Sequence, residues 1–395
     1  VTACTLPAVQ LLLLWLRGQS IDRRRIAQVM PFFALGVSMG LVITYWERYH
    51  IGTVGDRFSL SFIESFLIAT RASWFYLGKL LWPTQLTFSY PKFEIDPSDP
   101  LQYTWAIAGA VLLWALWRGR SAIGRAPLVA AIFFVATLSP LLGFIPLFTF
   151  WYTYVADHYQ YMASIGPITL VAAGGTRLLR DHTRLGIGAA ASAAALVLLV
   201  LALLVWNQSR VYENEETLWR DTIAKNPTSW MAQTNLGRTL QREERLEEAV
   251  DAYQRVFAIK PDVYRAHVGR ASALMKLGRE REAEEHFEAA LELRPDLYSA
   301  HQALARLFWK RGERAAAIAH YQAMIAIAPG NLTGHFLMGS ALEAAGRRRA
   351  ALAHYRNALA IDPDHKEARR AVERIEGARA NPSARSRGGE RSSPP

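Results

Sequence analysis

Cysteine is nearly absent from this 395-residue chain, with Cys4 the only one. No disulfide can form within the chain and no cysteine-based zinc site exists; an oxidising compartment is left open without being indicated. Also missing are a glycine-rich phosphate loop, an HExxH helix and a Gly-x-Ser-x-Gly elbow. These absences argue against a soluble nucleotide-using enzyme, a zincin protease or an α/β-hydrolase. No charged region precedes the first apolar run, 6–16, and no small-residue cleavage site follows it. The run therefore does not read as a signal peptide. It reads as the tail of a spanning helix, which makes the chain a piece of a longer protein; a short interfacial helix is the alternative.

What is present divides the chain in two. Mean hydropathy is +0.05 because an apolar, Trp-rich first half is averaged with a strongly charged second half. The net charge of +11 is distributed unevenly. Before residue 207 arginines crowd short connections: Arg17, Arg23, Arg24 and Arg25; then Arg118, Arg120 and Arg125; then Arg177, Arg180 and Arg184. Between them lie apolar segments at 26–45, 101–117, 127–147, 162–179 and 186–206. With the first run these make six crossings, and the excess of arginine places all three connections in the cytoplasm. Residues 47–100, 148–161 and everything after 206 then lie on the other side. Segment 60–82 is long enough to cross, but burying Arg71 at mid-bilayer would cost about 2.5–3.5 kcal/mol. On a helical wheel Ser61, Glu64, Ser65, Arg71, Gly78 and Lys79 oppose Phe62, Phe66, Ala69, Phe75 and Leu80. That pattern suits a helix lying at the interface or facing a polar cavity.

The second half repeats. Pro261, Pro295, Pro329 and Pro363 are 34 residues apart, and so are Ala249, Ala283, Ala317 and Ala351, and Tyr253, Phe287, Tyr321 and Tyr355. This is the signature of tetratricopeptide (TPR) repeats, pairs of antiparallel helices that bury their apolar faces only by stacking. Four repeats are expected at 230–263, 264–297, 298–331 and 332–365, after a degenerate half-repeat in 207–229 with Trp219 at the aromatic position. A capping helix is expected at 366–378 and a disordered tail at 379–395. The fold class is therefore all-α: a polytopic transmembrane helical region followed by a TPR α-solenoid.

A TPR groove binds polypeptide. Its lining should include Asn235, Arg238, Arg265, Arg306, Trp309 and Lys310. These cations fit an acidic or carboxylate-bearing ligand, or they are ordinary solvated side chains. The asparagine position continues as Gly269, Ala303 and Leu337, so no asparagine ladder exists. In the membrane half, two external stretches combine charge with aromatics: 71–92, with Arg71 and Lys79, and 151–161, with Asp157, His158 and Tyr161. Cations there would suit a lipid-linked phosphate, and His158 beside Asp157 would serve as acid or base. Trp151, Tyr152 and Tyr154 suit an interfacial aromatic belt. No metal site is expected. Nucleic acid is not an expected partner, because the basic clusters sit at the membrane.

Phe75-Tyr-Leu-Gly-Lys-Leu-Leu-Trp-Pro83, the Ser-Tyr-Pro of 89–91 and the run Ala156-Asp-His-Tyr-Gln-Tyr-Met-Ala-Ser-Ile-Gly166, together with the repeats, resemble the transmembrane-and-TPR-containing (TMTC) family and its bacterial relatives. The resemblance implies a partial GT-C-like membrane region and transfer of a sugar, mannose in eukaryotic members, from a polyprenyl-phosphate donor to protein. It implies that the catalytic acidic motif precedes Val1. On this reading Arg71 and Lys79 steady the donor phosphate, Asp157, His158 and Tyr161 border the same cavity, and the TPR groove holds the acceptor. His158 stands where bacterial relatives commonly carry Arg. The implied location is a bacterial inner membrane, with the repeats on its non-cytoplasmic side. The rival expectation is a non-enzymatic, membrane-anchored TPR scaffold of the cell envelope.

Overall fold

The computed structural model describes residues 5–51, 60–144, 148–181 and 187–380; Cys4, Arg184, part of the 47–100 loop and the tail from 381 lie outside them. The described residues form helices and connecting turns, with no strand among them. They divide into two compact units, Val1–Ala232 and Gln233–Pro395.

The first unit holds α1 (Leu6–Leu16), α2 (Arg23–Trp46), α3 (Phe62–Leu81), α4 (Thr104–Arg118), α5 (Ala126–Leu138), α6 (Ile165–Asp181), α7 (Ile187–Val211) and α8 (Glu215–Lys225). Asp22 starts α2 by accepting a hydrogen bond from the Arg25 amide at 2.9 Å. Two stretches are long and apolar enough to cross a membrane by length and composition, Arg23–His50 and Ala191–Val211. The other four expected crossings are shorter. α4, with 15 residues, rises only about 23 Å against a hydrocarbon core of about 30 Å. Its ends have local causes: a 3-10 turn opening at Pro100 precedes it, and another opening at Gly119 follows. α5 stops where Pro140 enters the 3-10 turn Ser139–Leu141.

α3 departs from the helical-wheel reading. Its buried stripe is Ser65, Ile68, Ala69, Ala72 and Tyr76, while Phe62 is 76% exposed. The small side chains of Ala69 and Ala72 let the helix backbone approach its neighbours, and Tyr76 fills the space beyond them. These residues join Phe134, Leu138 and Leu142 from α5 and the turn after it, and Val155, Tyr159 and Ala163 from the segment before α6, in one apolar cluster. α3 thus serves as a core helix of its unit, with Phe75 packed against that core.

The second unit follows the 34-residue period. α9 (Trp230–Arg242) and α10 (Leu246–Ile259) form the first hairpin, α11 (Tyr264–Lys276) and α12 (Glu280–Leu293) the second, α13 (Tyr298–Arg311) and α14 (Arg314–Ile327) the third, α15 (Leu332–Ala344) and α16 (Arg348–Ile361) the fourth. α17 (Lys366–Ala380) caps the array, two residues longer than expected. Ala249, Ala283, Ala317 and Ala351 are all fully buried, so a larger side chain there would have to displace close-packed neighbours. Tyr253 is wedged so tightly that a Cβ added at Gly237 would sit 2.9 Å from its ring, and one at Gly269 only 2.4 Å away. The asparagine position is therefore glycine in the second repeat because Tyr253 occupies the space of a side chain.

Candidate functional site

Two regions gather chemistry-bearing side chains, one in each unit. In the first, α3 is anchored by a capping box: Ser61 Oγ accepts from the Glu64 amide and Glu64 Oε2 accepts from the Ser61 amide at 2.7 Å. From that fixed start the helix presents Tyr76, whose hydroxyl accepts the Ala156 amide at 3.0 Å in the buried core. This bond sets the position of the next residue, Asp157. Asp157 Oδ1 accepts a hydrogen bond from Tyr90 Oη at 2.7 Å. Burial pushes its carboxyl above the usual range, and the Tyr90 hydrogen bond and the charges of Lys79, His158 and Lys225 pull it back. Lys79 donates to the Thr84 carbonyl at 2.6 Å and lies over the rings of Phe75 and Tyr90, at 5.6 and 5.3 Å. Desolvation lowers its pKa, partly offset by Asp157. Lys225 of α8 donates to the Leu86 carbonyl at 2.7 Å and pairs with Asp221 at 2.8 Å.

Beside this cluster lies a cavity of about 630 Å³ with a polar rim of Thr84, Gln208, Tyr212 and Lys225 and an apolar wall of Leu201 and Leu204. Tyr161 is 70% exposed and acts electrostatically on Tyr212. Lys79, Asp157 and, through Tyr212, Tyr161 therefore border one region. His158 is exposed, its ring edge-on to Tyr159 at 4.7 Å, so it does not share the half-buried pocket of Asp157. Arg71 lies elsewhere. It stacks on Phe93 at 4.5 Å, two helical turns from Lys79, and Lys92 covers the neighbouring Tyr154 at 4.7 Å. Sequence reasoning did not single out Tyr90 as the partner of Asp157, nor Lys225 or Tyr212. The Tyr90–Asp157 bond spans 67 positions and has no local pattern.

In the second unit the expected groove residues separate into two kinds. Lys310 is ion-paired with Glu280, and Arg265 donates to Tyr264 Oη at 3.1 Å. Trp309 lies under Arg314 at 5.8 Å. Asn235 is half-buried and engaged. Arg238 and Arg306 are exposed, each acting on the tyrosine of its own repeat, Tyr253 and Tyr321. They occupy the same repeat position two repeats apart, and Ser272 takes that position between them.

A second periodic feature went unread in the sequence. His267, His301 and His335 are 34 apart, and so are His286, His320 and His354. The Nδ1 atoms of each pair meet at 3.0, 2.9 and 3.2 Å. Nε2 of each first-helix histidine contacts the carbonyl of Pro261, Pro295 or Pro329 at 3.2, 3.0 and 2.9 Å. The 34-residue recurrence was the available signal.

Tetratricopeptide-repeat family models match residues 199–264, 268–331 and 332–365. This part of the chain is a TPR array. The solved structures it is similar to include MamA, at 20% identity over 38% of this chain and 89% of that one, with a TM-score of 0.36. Another is YrrB, described as a TPR protein with an unusual peptide-binding site, at 19% identity over 42% and 85%, with a TM-score of 0.39. A third is MamA 41-end from Desulfovibrio magneticus RS-1, at 15% identity over 42% and 96%, with a TM-score of 0.36. No curated protein matches.

Proposed function

We propose that this protein is a membrane-anchored TPR scaffold whose groove holds an acidic polypeptide. TPR repeats provide extended surfaces for protein binding. The observation that supports the acidic ligand is the pair Arg238 and Arg306, exposed at equivalent positions while Lys310 is held by Glu280. An extended chain lying along the array would meet both guanidinium groups, each able to take a carboxylate in bidentate fashion. The membrane anchor rests on the two apolar stretches Arg23–His50 and Ala191–Val211 and on outward-facing residues such as Leu41, Val205 and Trp206, 67–70% exposed. The reading places the array on the non-cytoplasmic side of a bacterial inner membrane, following the arginine-rich connections.

The test is fluorescence anisotropy with the full chain in lipid nanodiscs and labelled acidic, neutral and basic peptides of equal length. The acidic peptide should bind most tightly and weaken with salt; equal affinity for all three would refute the reading.

A second reading, sugar transfer from a polyprenyl-phosphate donor, draws on Asp157. This half-buried carboxylate with a raised pKa, set beside Lys79 and Tyr90, has the character of a group that exchanges protons. Lys79 and Lys225 near the 630 Å³ cavity would face the phosphate. Arg71, over Phe93, would border the lipid rather than the carboxylate. Transfer of labelled sugar to an acceptor protein, abolished by Asp157→Asn, would carry this reading; transfer undiminished in that variant would remove Asp157 from it.

A further inference from the structure

Each hairpin pairs one position on its first helix with the aromatic position on its second: Gln241 with Tyr253, Met275 with Phe287, Trp309 with Tyr321 and Glu343 with Tyr355. In the first repeat Tyr253 Oη donates to Gln241 Oε1 at 3.3 Å, and in the fourth Tyr355 Oη donates to Glu343 Oε2 at 2.9 Å. The second repeat drops acceptor and hydroxyl together, as methionine and phenylalanine. The third repeat breaks the rule. Tyr321 keeps its hydroxyl, but Trp309 offers only an indole N–H, which donates and cannot accept. Tyr321 is 3% exposed, and among the described residues no hydrogen bond takes up its hydroxyl.

The course of these rings carries the hydroxyl to the helices that line the groove. A Cβ added at Gly269 would sit 2.6 Å from Tyr253 Oη, so that side chain reaches from α10 to the first helix of the next repeat. Tyr321 leaves α14 from the same repeat position, and the exposed Arg306 of α13 acts on its hydroxyl. Arg306 has no ion pair and no hydrogen bond among the described residues. The fourth repeat shows what completes such a set. There the Glu343 carboxylate accepts from Tyr355 Oη, from Arg374 Nη2 at 2.7 Å and from Arg374 Nε at 3.1 Å. The third repeat has a hydroxyl and a guanidinium but no carboxylate between them. A tyrosine hydroxyl withdrawn from water without an acceptor costs stability, and an arriving acceptor relieves that cost.

We propose that the third repeat is the anchoring subsite for one carboxylate of the bound polypeptide, which accepts a hydrogen bond from the Tyr321 hydroxyl and pairs with Arg306, as Glu343 does with Tyr355 and Arg374. The proposal rests on the acidic-ligand reading and adds the residue that recognises the carboxylate. A hydrogen bond to an ionised acceptor is roughly twice as strong as one to a neutral amide, so Tyr321 discriminates between the two. The first repeat holds the weaker position, because Gln241 already takes the Tyr253 hydroxyl and leaves Arg238 to act alone. A side-chain carboxylate and the carboxylate that ends a peptide present the same two oxygens, and either satisfies this geometry.

The test is anisotropy on the full chain in nanodiscs with three labelled peptides that differ only in their carboxylate: one glutamate and an amidated end, glutamine and an amidated end, and glutamine and a free end. Wild type should bind at least one carboxylate peptide about tenfold more tightly than the amide peptide, and the peptide favoured identifies the source of the carboxylate. Tyr321→Phe keeps the buried ring. It should weaken that peptide by about tenfold and leave the amide peptide unchanged. Its thermal midpoint should stay at or above wild type, because no internal hydrogen bond is lost. Trp309→Glu supplies the acceptor from within, as in the fourth repeat, and should abolish the preference. Undiminished carboxylate binding by folded Tyr321→Phe, or a midpoint several degrees lower in that variant, would overturn the subsite and leave the acidic groove standing. A wild type that treats the three peptides alike would overturn both.

Discussion

Glu244 offers the sharpest stability test because the array supplies its own controls. Each first helix ends in the same turn. One or two residues after the helix φ turns positive, and the next amide reaches back five residues: Arg245 to Leu240, Arg279 to Leu274, Glu313 to Phe308 and Arg347 to Leu342. Glycine fills the positive-φ position at Gly278, Gly312 and Gly346, with φ of 77°, 81° and 77°, whereas the first repeat puts Glu244 there at 58°. A left-handed L-residue costs about 1–2 kcal/mol, and glycine returns about 0.4–1 kcal/mol of that through its looser unfolded chain. Glu244 also pairs with Lys276 at 2.8 Å with both side chains largely exposed, a contact worth about 0.2–0.5 kcal/mol. Glu244→Gly should therefore stabilise the array by about 0.5 kcal/mol, and Gly312→Ala should destabilise it by about 1 kcal/mol. At about 2–4 °C per kcal/mol for a unit of this size, the unfolding midpoint followed by circular dichroism should rise slightly in the first variant and fall by a few degrees in the second. A fall in the first, with the second tolerated, would refute the assignment of strain to this turn.

Gly269→Ala should destabilise by about 1–2 kcal/mol despite alanine's better helix propensity, because overpacking against the trapped Tyr253 ring outweighs it; a denaturant midpoint at or above wild type would contradict this. Tyr76→Phe leaves the buried Ala156 amide without its acceptor and should cost about 1–3 kcal/mol in thermal stability, with an unchanged midpoint counting against the anchoring of Asp157. Burial lowers the pKa of His267, His286, His320 and His354, that of His286 to about 4 from a usual 6.5. A depressed folded pKa gives stability that is complete above the unfolded value and lost on acidification. The protein should thus lose stability as the pH falls from 6.5 towards 4, and His286→Gln should flatten that slope; a slope identical in the variant would remove this histidine from the effect.

The array was legible because a repeat writes every structural need several times. Pro261, Pro295, Pro329 and Pro363 mark the hairpin ends, Gly278, Gly312 and Gly346 the turns within them, and the described helices fall where these residues put them. The same logic left the histidine pairs in plain view, but a 34-residue step reveals a shared position and not which two positions face each other; that took the fold. In the first unit no repetition helps. The wheel of α3 sorted polar from apolar side chains, yet it could not reveal that Ser65, Ala72 and Tyr76 lie in the buried stripe, since that depends on α5 and the segment before α6. Asp157 and His158 are adjacent in sequence and face different surroundings, because the Tyr76–Ala156 bond fixes the backbone and aims Asp157 at Tyr90. Hydropathy marked α2 and α7 plainly. It overestimated the lengths of α4 and α5, whose ends are set by Gly119 and Pro140.

Arg238 and Arg306 carry the proposed recognition of an acidic peptide. Charge reversal at both, Arg238→Glu with Arg306→Glu, leaves the buried stacking residues untouched and can be measured by peptide anisotropy on the nanodisc-embedded chain. Preference should switch from the acidic to the basic peptide while the helical circular dichroism signal is kept. Undiminished binding of the acidic peptide by the folded double variant would contradict it.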